Sequence, residues 1–146
     1  MDTLFAVAEP YEQTTSSSSF TDIMGLGLVL PAATPGGYQS ALVTLCLPGP
    51  YAEGNDFPGA SVGIAVVGAS TPVIASGTFT YQEKRPGSFA RIPITIVADL
   101  PLQPQPMEVI GRWASVRGST VHIDEAGLTS LSAILSPTPA GLKQLL

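Results

Sequence analysis

Fourteen prolines and fifteen glycines divide this 146-residue chain into short stretches, and no other feature narrows its fold as much. Proline cannot donate a backbone hydrogen bond and glycine weakens a helix interior, so long helices are excluded. Short strands joined by tight turns remain, the pattern of a sandwich or jelly roll. Strands are expected over residues 20–23, 25–30, 41–47, 61–67, 73–81, 88–98, 108–116, 120–123 and 128–135. Alternation supports them: Ile92, Ile94 and Ile96 share one face, as do Val62, Ile64 and Val66, and Val121 with Ile123. The turns between carry Pro35-Gly36-Gly37, Pro48-Gly49-Pro50, Gly54-Asn55-Asp56, Pro58-Gly59 and Pro86-Gly87. Residues 101–106 read as a stiff extended linker.

The length suits one domain with a single core. Residues 1–19, with the Ser/Thr run Thr14–Ser19, read as a flexible lead-in; 20–136 as the folded domain; 137–146 as a tail without strand character. Only 12% of residues are charged and 45% are hydrophobic, whereas a soluble protein averages about 25% charged. Stretches such as Ala41–Leu47 are apolar on both faces. Such a strand packs on its own core from one side and on a second copy from the other. A symmetric homo-oligomer is therefore expected.

Net charge is −5, and six scattered Lys and Arg residues form no basic stripe. Nucleic acid and anionic membrane surfaces are thereby disfavoured as partners. No apolar run reaches the roughly 20 residues of a membrane span. Asp2 stands where a signal peptide carries positive charge, and Leu4–Ala8 is too short for its apolar core. Nothing here directs the chain through the usual export route, and its location is left open, the cytoplasm until release or non-classical export to the cell surface being one course. Cys46 is the lone cysteine and, between Leu45 and Leu47, reads as a buried inert thiol.

Enzyme chemistry finds little support. A cupin-type metal site needs several histidines, and His122 is the only one. It reads as a structural histidine bonded to a loop or a neighbouring chain. No nucleophile elbow is present, and no carboxylate pair is singled out for glycoside hydrolysis. The loop Glu53-Gly54-Asn55-Asp56 has too few oxygens for calcium and reads as an Asx-type turn. No metal and no cofactor are expected. Binding a neutral polyol remains open, because Arg forks span hydroxyls and Tyr rings wall a pocket. Arg91, Arg117, Tyr51 and Tyr81 lie at strand ends or in loops, yet each also fits a rim ion pair or a packed surface ring.

Specific strings narrow the choice: Phe20–Leu26, Pro50-Tyr51-Ala52-Glu53-Gly54-Asn55-Asp56-Phe57-Pro58-Gly59 and Gly77–Tyr81, followed by Arg91-Ile92-Pro93, Trp113–Ser119, His122-Ile123-Asp124 and Ser130–Ile134. In this order they resemble the TNF-like fucose-binding domain at the N-terminus of the Burkholderia two-domain superlectin. The resemblance covers about residues 20–136. It implies an all-β TNF-like jelly-roll sandwich, a homotrimer, and non-catalytic, metal-independent recognition of fucosylated oligosaccharides at sites between protomers. The implied ligand contacts are Tyr51, Ser88 and Arg91 from one chain, and Thr80, Tyr81 and Arg117 from its neighbour. Asp124 is a candidate rim residue; it and His122 follow Arg117 closely enough in sequence to orient it, with the structural reading preferred for His122. The family's pocket has a tyrosine where this chain has Ser61 and a threonine where it has Phe89, so two walls differ. The superlectin's calcium-dependent second domain has no counterpart in this sequence. The alternative is a TNF/C1q-like trimerisation module without a working sugar site.

Overall fold

A computed structural model of the chain describes residues 2–84, 86, 89–124 and 128–141. Among them the backbone forms eleven strands and no helix. These are β1 (Thr3–Val7), β2 (Gln13–Thr15), β3 (Thr21–Leu30), β4 (Ser40–Leu47), β5 (Tyr51–Glu53), β6 (Gly59–Val66), β7 (Val73–Thr80), β8 (Ile94–Pro101), β9 (Met107–Val116), β10 (Thr120–Ile123) and β11 (Ser130–Ser136). They make two four-stranded sheets, β1-β11-β4-β8 and β3-β9-β6-β7, and a three-stranded sheet, β2-β10-β5. All pairings are antiparallel.

Alternation along each strand decides which residues meet inside. Ala41, Val43, Leu45 and Leu47 of β4 and Leu131, Ala133 and Leu135 of β11 face Leu26, Leu28 and Leu30 of β3, Val62 and Ile64 of β6, and Val109 and Trp113 of β9 in one buried cluster. Two sheets joined by a shared apolar layer are a β-sandwich. Each Leu, Ile or Val so buried contributes about 1.5–3 kcal/mol by removal of apolar area from water.

Three expectations are corrected here. Residues 1–19 do not form a lead-in throughout: β1 pairs with β11 and β2 with β10. Their partners lie over a hundred residues away, as in the 110-residue separation of Glu12 and His122, so nothing local marks them as strands. The strand expected from residue 88 starts instead at Ile94, because Pro93 has no N–H for a ladder and Ile92 N turns aside to Pro50 O, at 3.0 Å. It then runs to Pro101, into the stretch read as linker. Cys46 is half-buried rather than buried. It lies on the outward side of β4, since its neighbours Leu45 and Leu47 take the inward positions.

β2 is tied down by one buried side chain. Gln13 Oε1 accepts from Met24 N at 2.8 Å and Gln13 Nε2 donates to Met24 O at 3.0 Å. The amide thereby serves as a strand partner where the β3–β9 register shifts between Asp22 and Gly27. Gly25 makes the bend possible: its φ is +93°, and a Cβ there would fall 2.7 Å from Glu9 N. In Gln13→Ala, Met24 O keeps its bond from Glu9 N but Met24 N is left without its partner in a part-buried setting. A loss of about 2 kcal/mol is expected, seen as a melting temperature lower by roughly 6 °C at fixed protein concentration. An unchanged melting temperature would show that water replaces the amide.

Candidate functional site

The site grows from the ladder between β5 and β10. Tyr51 is paired with His122 across it, and directly opposed residues on one face of a sheet touch. Their rings stack with centroids 4.5 Å apart and planes within 2°. The Arg91 guanidinium covers Tyr51 as well, its Cζ 4.8 Å from the ring centroid, within cation–π range. The turn Pro48-Gly49-Pro50 holds Arg91 there. Nη1 donates to Gly49 O at 3.2 Å, and the aliphatic stem passes so close that a Cβ on Gly49 would lie 3.2 Å from Arg91 Cδ. Nη2 pairs with Asp124 Oδ2. A guanidinium has five N–H donors, so these two contacts leave others for a ligand.

Phe89 carries the aromatic surface onward, 6.5 Å from Tyr51 and 6.2 Å from Tyr81 between ring centroids. The Tyr81 hydroxyl donates to Ala90 O at 2.7 Å and accepts from Ala52 N at 3.4 Å. This phenol is therefore committed to main chain, and its ring is what it offers a ligand. Burial raises the pKa of Tyr81 against the lowering effects of the Ala52 bond and of Arg91. Tyr51 is also raised, first by burial and then by Asp124, Glu12 and Glu53, with Arg91 opposing. Both phenols stay protonated donors at neutral pH.

Arg117 lies in the β9–β10 turn at φ +54°, near Asn55 at φ +57° and Phe57 at φ +51°. Such values are uncommon for residues other than glycine and cluster where surrounding contacts enforce them. Here Asn55 Nδ2 donates to Arg117 O at 2.7 Å and Arg117 Nη1 to Phe57 O at 3.1 Å. The guanidinium also rests 5.9 Å from the Phe57 ring centroid. Between this knot and Phe89 opens a cleft of about 690 Å³, lined by Gly54, Asn55, Asp56, Pro86, Phe89 and Arg117.

Of the residues expected at a site, Tyr51, Tyr81, Phe89, Arg91 and Asp124 form one cluster within a single chain. Arg117 shares the cleft with Phe89, and Thr80 ends β7 beside Tyr81. Ser88 lies outside the described residues. Ser61 stands apart, its hydroxyl bonded to Thr78 Oγ1 at 2.6 Å across β6 and β7. Neither Asp124 nor His122 serves Arg117: Asp124 pairs with Arg91, and His122, in line with its reading as a structural histidine, is bonded to Glu12 and Glu53 and stacks on Tyr51. His122 was legible as outward-facing from Val121 and Ile123, but its pairing with Tyr51 was not, since β5 follows a Pro-Gly-Pro turn and reads as loop. Asn55 and Phe57, in the turn after β5, were missed for the same reason, and Glu12 because it lies in the stretch read as a lead-in. Among the described residues, no three His, Cys, Asp or Glu side chains are arranged to hold a metal ion, and no helix is long and apolar enough to cross a membrane.

A family model described as Bc2l-C, N-terminal domain, matches residues 10–134, from the approach to β2 through most of β11. The chain belongs to this family. The family is that of the N-terminal TNF-like lectin domain of the Burkholderia superlectin, so the resemblance read from the sequence strings holds. A lectin-type carbohydrate-binding domain is what membership supports, in a class that is generally non-catalytic. Comparison with curated protein sequences returns no match. Among solved structures, the insecticidal delta-endotoxin Cry8Ea1 from Bacillus thuringiensis aligns over 86% of this chain and 19% of its own, at 14% identity and TM-score 0.38. The infectious bursal disease virus VP2 subviral particle aligns over 95% and 38%, at 10% identity and TM-score 0.36. The chain spans less than half of either protein, and likeness at this level bears on neither fold nor function.

Proposed function

We propose that the chain is one protomer of a homotrimeric, TNF-like jelly-roll lectin that binds fucosylated glycans without metal, at sites completed between neighbouring protomers. The observation that carries this reading is the half-buried aromatic surface of Tyr51, Phe89 and Tyr81 with the exposed Arg91 upon it, and the Arg117 cleft beside it. A sugar presents an apolar ring face and a row of hydroxyls. Tyr51 and Phe89 suit the first, and the unspent N–H donors of Arg91 suit the second. In this reading Tyr51, Tyr81, Ser88 and Arg91 of one protomer are closed over by Thr80 and Arg117 of the next, Tyr81 moving to the first set because it is bonded to Ala52 N of its own chain. Tyr81 contributes ring surface, because its hydroxyl is already bonded to Ala90. The lectin domain then begins at β1 and ends with β11.

The trimer is supported by the outward face of the β1-β11-β4-β8 sheet. Its cross-strand rows are Val7-Ser130-Cys46-Thr95, Phe5-Ser132-Thr44-Val97 and Thr3-Ile134-Leu42-Asp99. Asp99 is the only carboxylate in them, and there is no Lys or Arg. Phe5 and Val97 are 58% and 53% exposed. A sheet face this poor in charge suits burial against copies of itself.

A second reading, a trimerisation module without a working sugar site, is favoured by Ser61, whose hydroxyl is spent on Thr78, and by Phe89, which brings bulk where the family has threonine. Thermal unfolding separates the two. L-fucose at a hundred times its dissociation constant is expected to stabilise the protein by about 2.7 kcal/mol, with mannose and galactose shifting it less. Protein that sediments as a trimer yet does not respond to any fucosylated sugar would establish the structural reading.

A further inference from the structure

His122 lies below Tyr51 in a clamp that the sugar reading does not use. Its Nδ1 is 2.8 Å from Glu12 Oε1 and its Nε2 is 2.8 Å from Glu53 Oε1. Ionised carboxylates only accept hydrogen bonds, and a neutral imidazole has one donor. Both contacts are therefore satisfied together only when both ring nitrogens carry hydrogen. The side chain is just 12% exposed, while Glu12 and Glu53 reach solvent at 53% and 45%. The stacked Tyr51 ring then lies against a cation from β10 as well as against Arg91, which is itself paired with Asp124.

We infer that His122 is a positioning residue: the Glu12–His122–Glu53 bridge holds Tyr51 for the sugar and makes glycan binding weaken as the imidazolium loses its proton. This rests on the sugar-binding reading. The charged and titratable groups facing the ring are Glu12 before β2, Glu53 and Tyr51 of β5, and, across Tyr51, Arg91 with Asp124. When the ring deprotonates, one nitrogen turns a lone pair toward a carboxylate. That contact becomes repulsive, the bridge opens on one side, and Tyr51 loses its fixed support. The Tyr51 hydroxyl does not cause the change, since burial holds its pKa above the ordinary tyrosine value. Glu12→Gln would remove the effect, because an amide can donate to the neutral ring's lone pair while Glu53 accepts from the other nitrogen.

Calorimetric titration with methyl α-L-fucoside from about pH 5 to about pH 8, spanning the range of histidine charge changes, tests the inference. Wild-type affinity is expected to fall about fivefold, the effect of losing one hydrogen bond of the bridge that holds Tyr51. Glu12→Gln is expected to bind with a nearly flat profile. Equal slopes in the two proteins would overturn the inference, as would a flat wild-type profile. An NMR titration without sugar separates the clamp from the ligand. The His122 ring nitrogens are expected to be both protonated at the acid end, and the Tyr51 ring protons to shift with the same midpoint as His122. Tyr51 signals indifferent to His122 would overturn the clamp. Signals that follow it in a protein that binds no fucoside would support the clamp and defeat the sugar reading alone.

Discussion

Arg91→Ala is expected to lower the affinity for L-fucose roughly 100-fold while leaving the fold and the assembly intact. The guanidinium covers Tyr51, pairs with Asp124 and retains free donors beside Phe89. Two charge-assisted hydrogen bonds to sugar hydroxyls, at about 1.5 kcal/mol each, correspond to that loss. Stability is expected to change little. The Arg91 side chain is 51% exposed, and an ion pair that open to water contributes less than about 1 kcal/mol. Arg91→Lys is the informative partner: it keeps the charge but lacks the planar fork, so it should recover only part of the affinity. Fluorescence or calorimetric titration gives the binding and thermal unfolding gives the stability. An Arg91→Ala protein that binds as wild type removes Arg91 from the site, and one that fails to fold assigns it a structural role.

Val97→Glu is expected to abolish both assembly and sugar binding while preserving the protomer. Val97 is the outer end of the row Phe5-Ser132-Thr44-Val97 and is half exposed on a single chain, so a carboxylate there meets water in the monomer. In a symmetric trimer it would meet an apolar surface and two copies of itself. A buried charge without a partner costs several kcal/mol per ion, and three such sites outweigh what an interface of ordinary size retains. Sedimentation should find monomer at concentrations where the parent is trimeric, with a strand-rich circular dichroism spectrum. A variant that remains trimeric moves the interface to another face. A monomer with full sugar affinity would place the whole site within one chain.

The two predictions draw on unequal shares of the sequence. Arg91 was visible as a donor near a strand start, and Ile94 and Ile96 marked the strand that follows. Its contacts were not visible, because Gly49 and Tyr51 come from one distant segment and Asp124 from another. The charge-poor sheet face was half visible: apolar residues on both sides of Ala41–Leu47 indicated a covered strand. The rows across it required the register of β1, which nothing in Thr3–Val7 announces.

Alternation and the punctuation by proline and glycine act over a few residues, so the sequence by itself determined an all-β chain, most of its strands and the inward set of the sandwich. Its longer strings also carried the family. Tertiary structure alone decided that β1 and β2 join the sheets, that Cys46 faces outward and that His122 supports Tyr51 rather than Arg117. Each of these depends on which distant strand supplies the hydrogen bonds, and a one-residue change of register would turn every side chain to the other face.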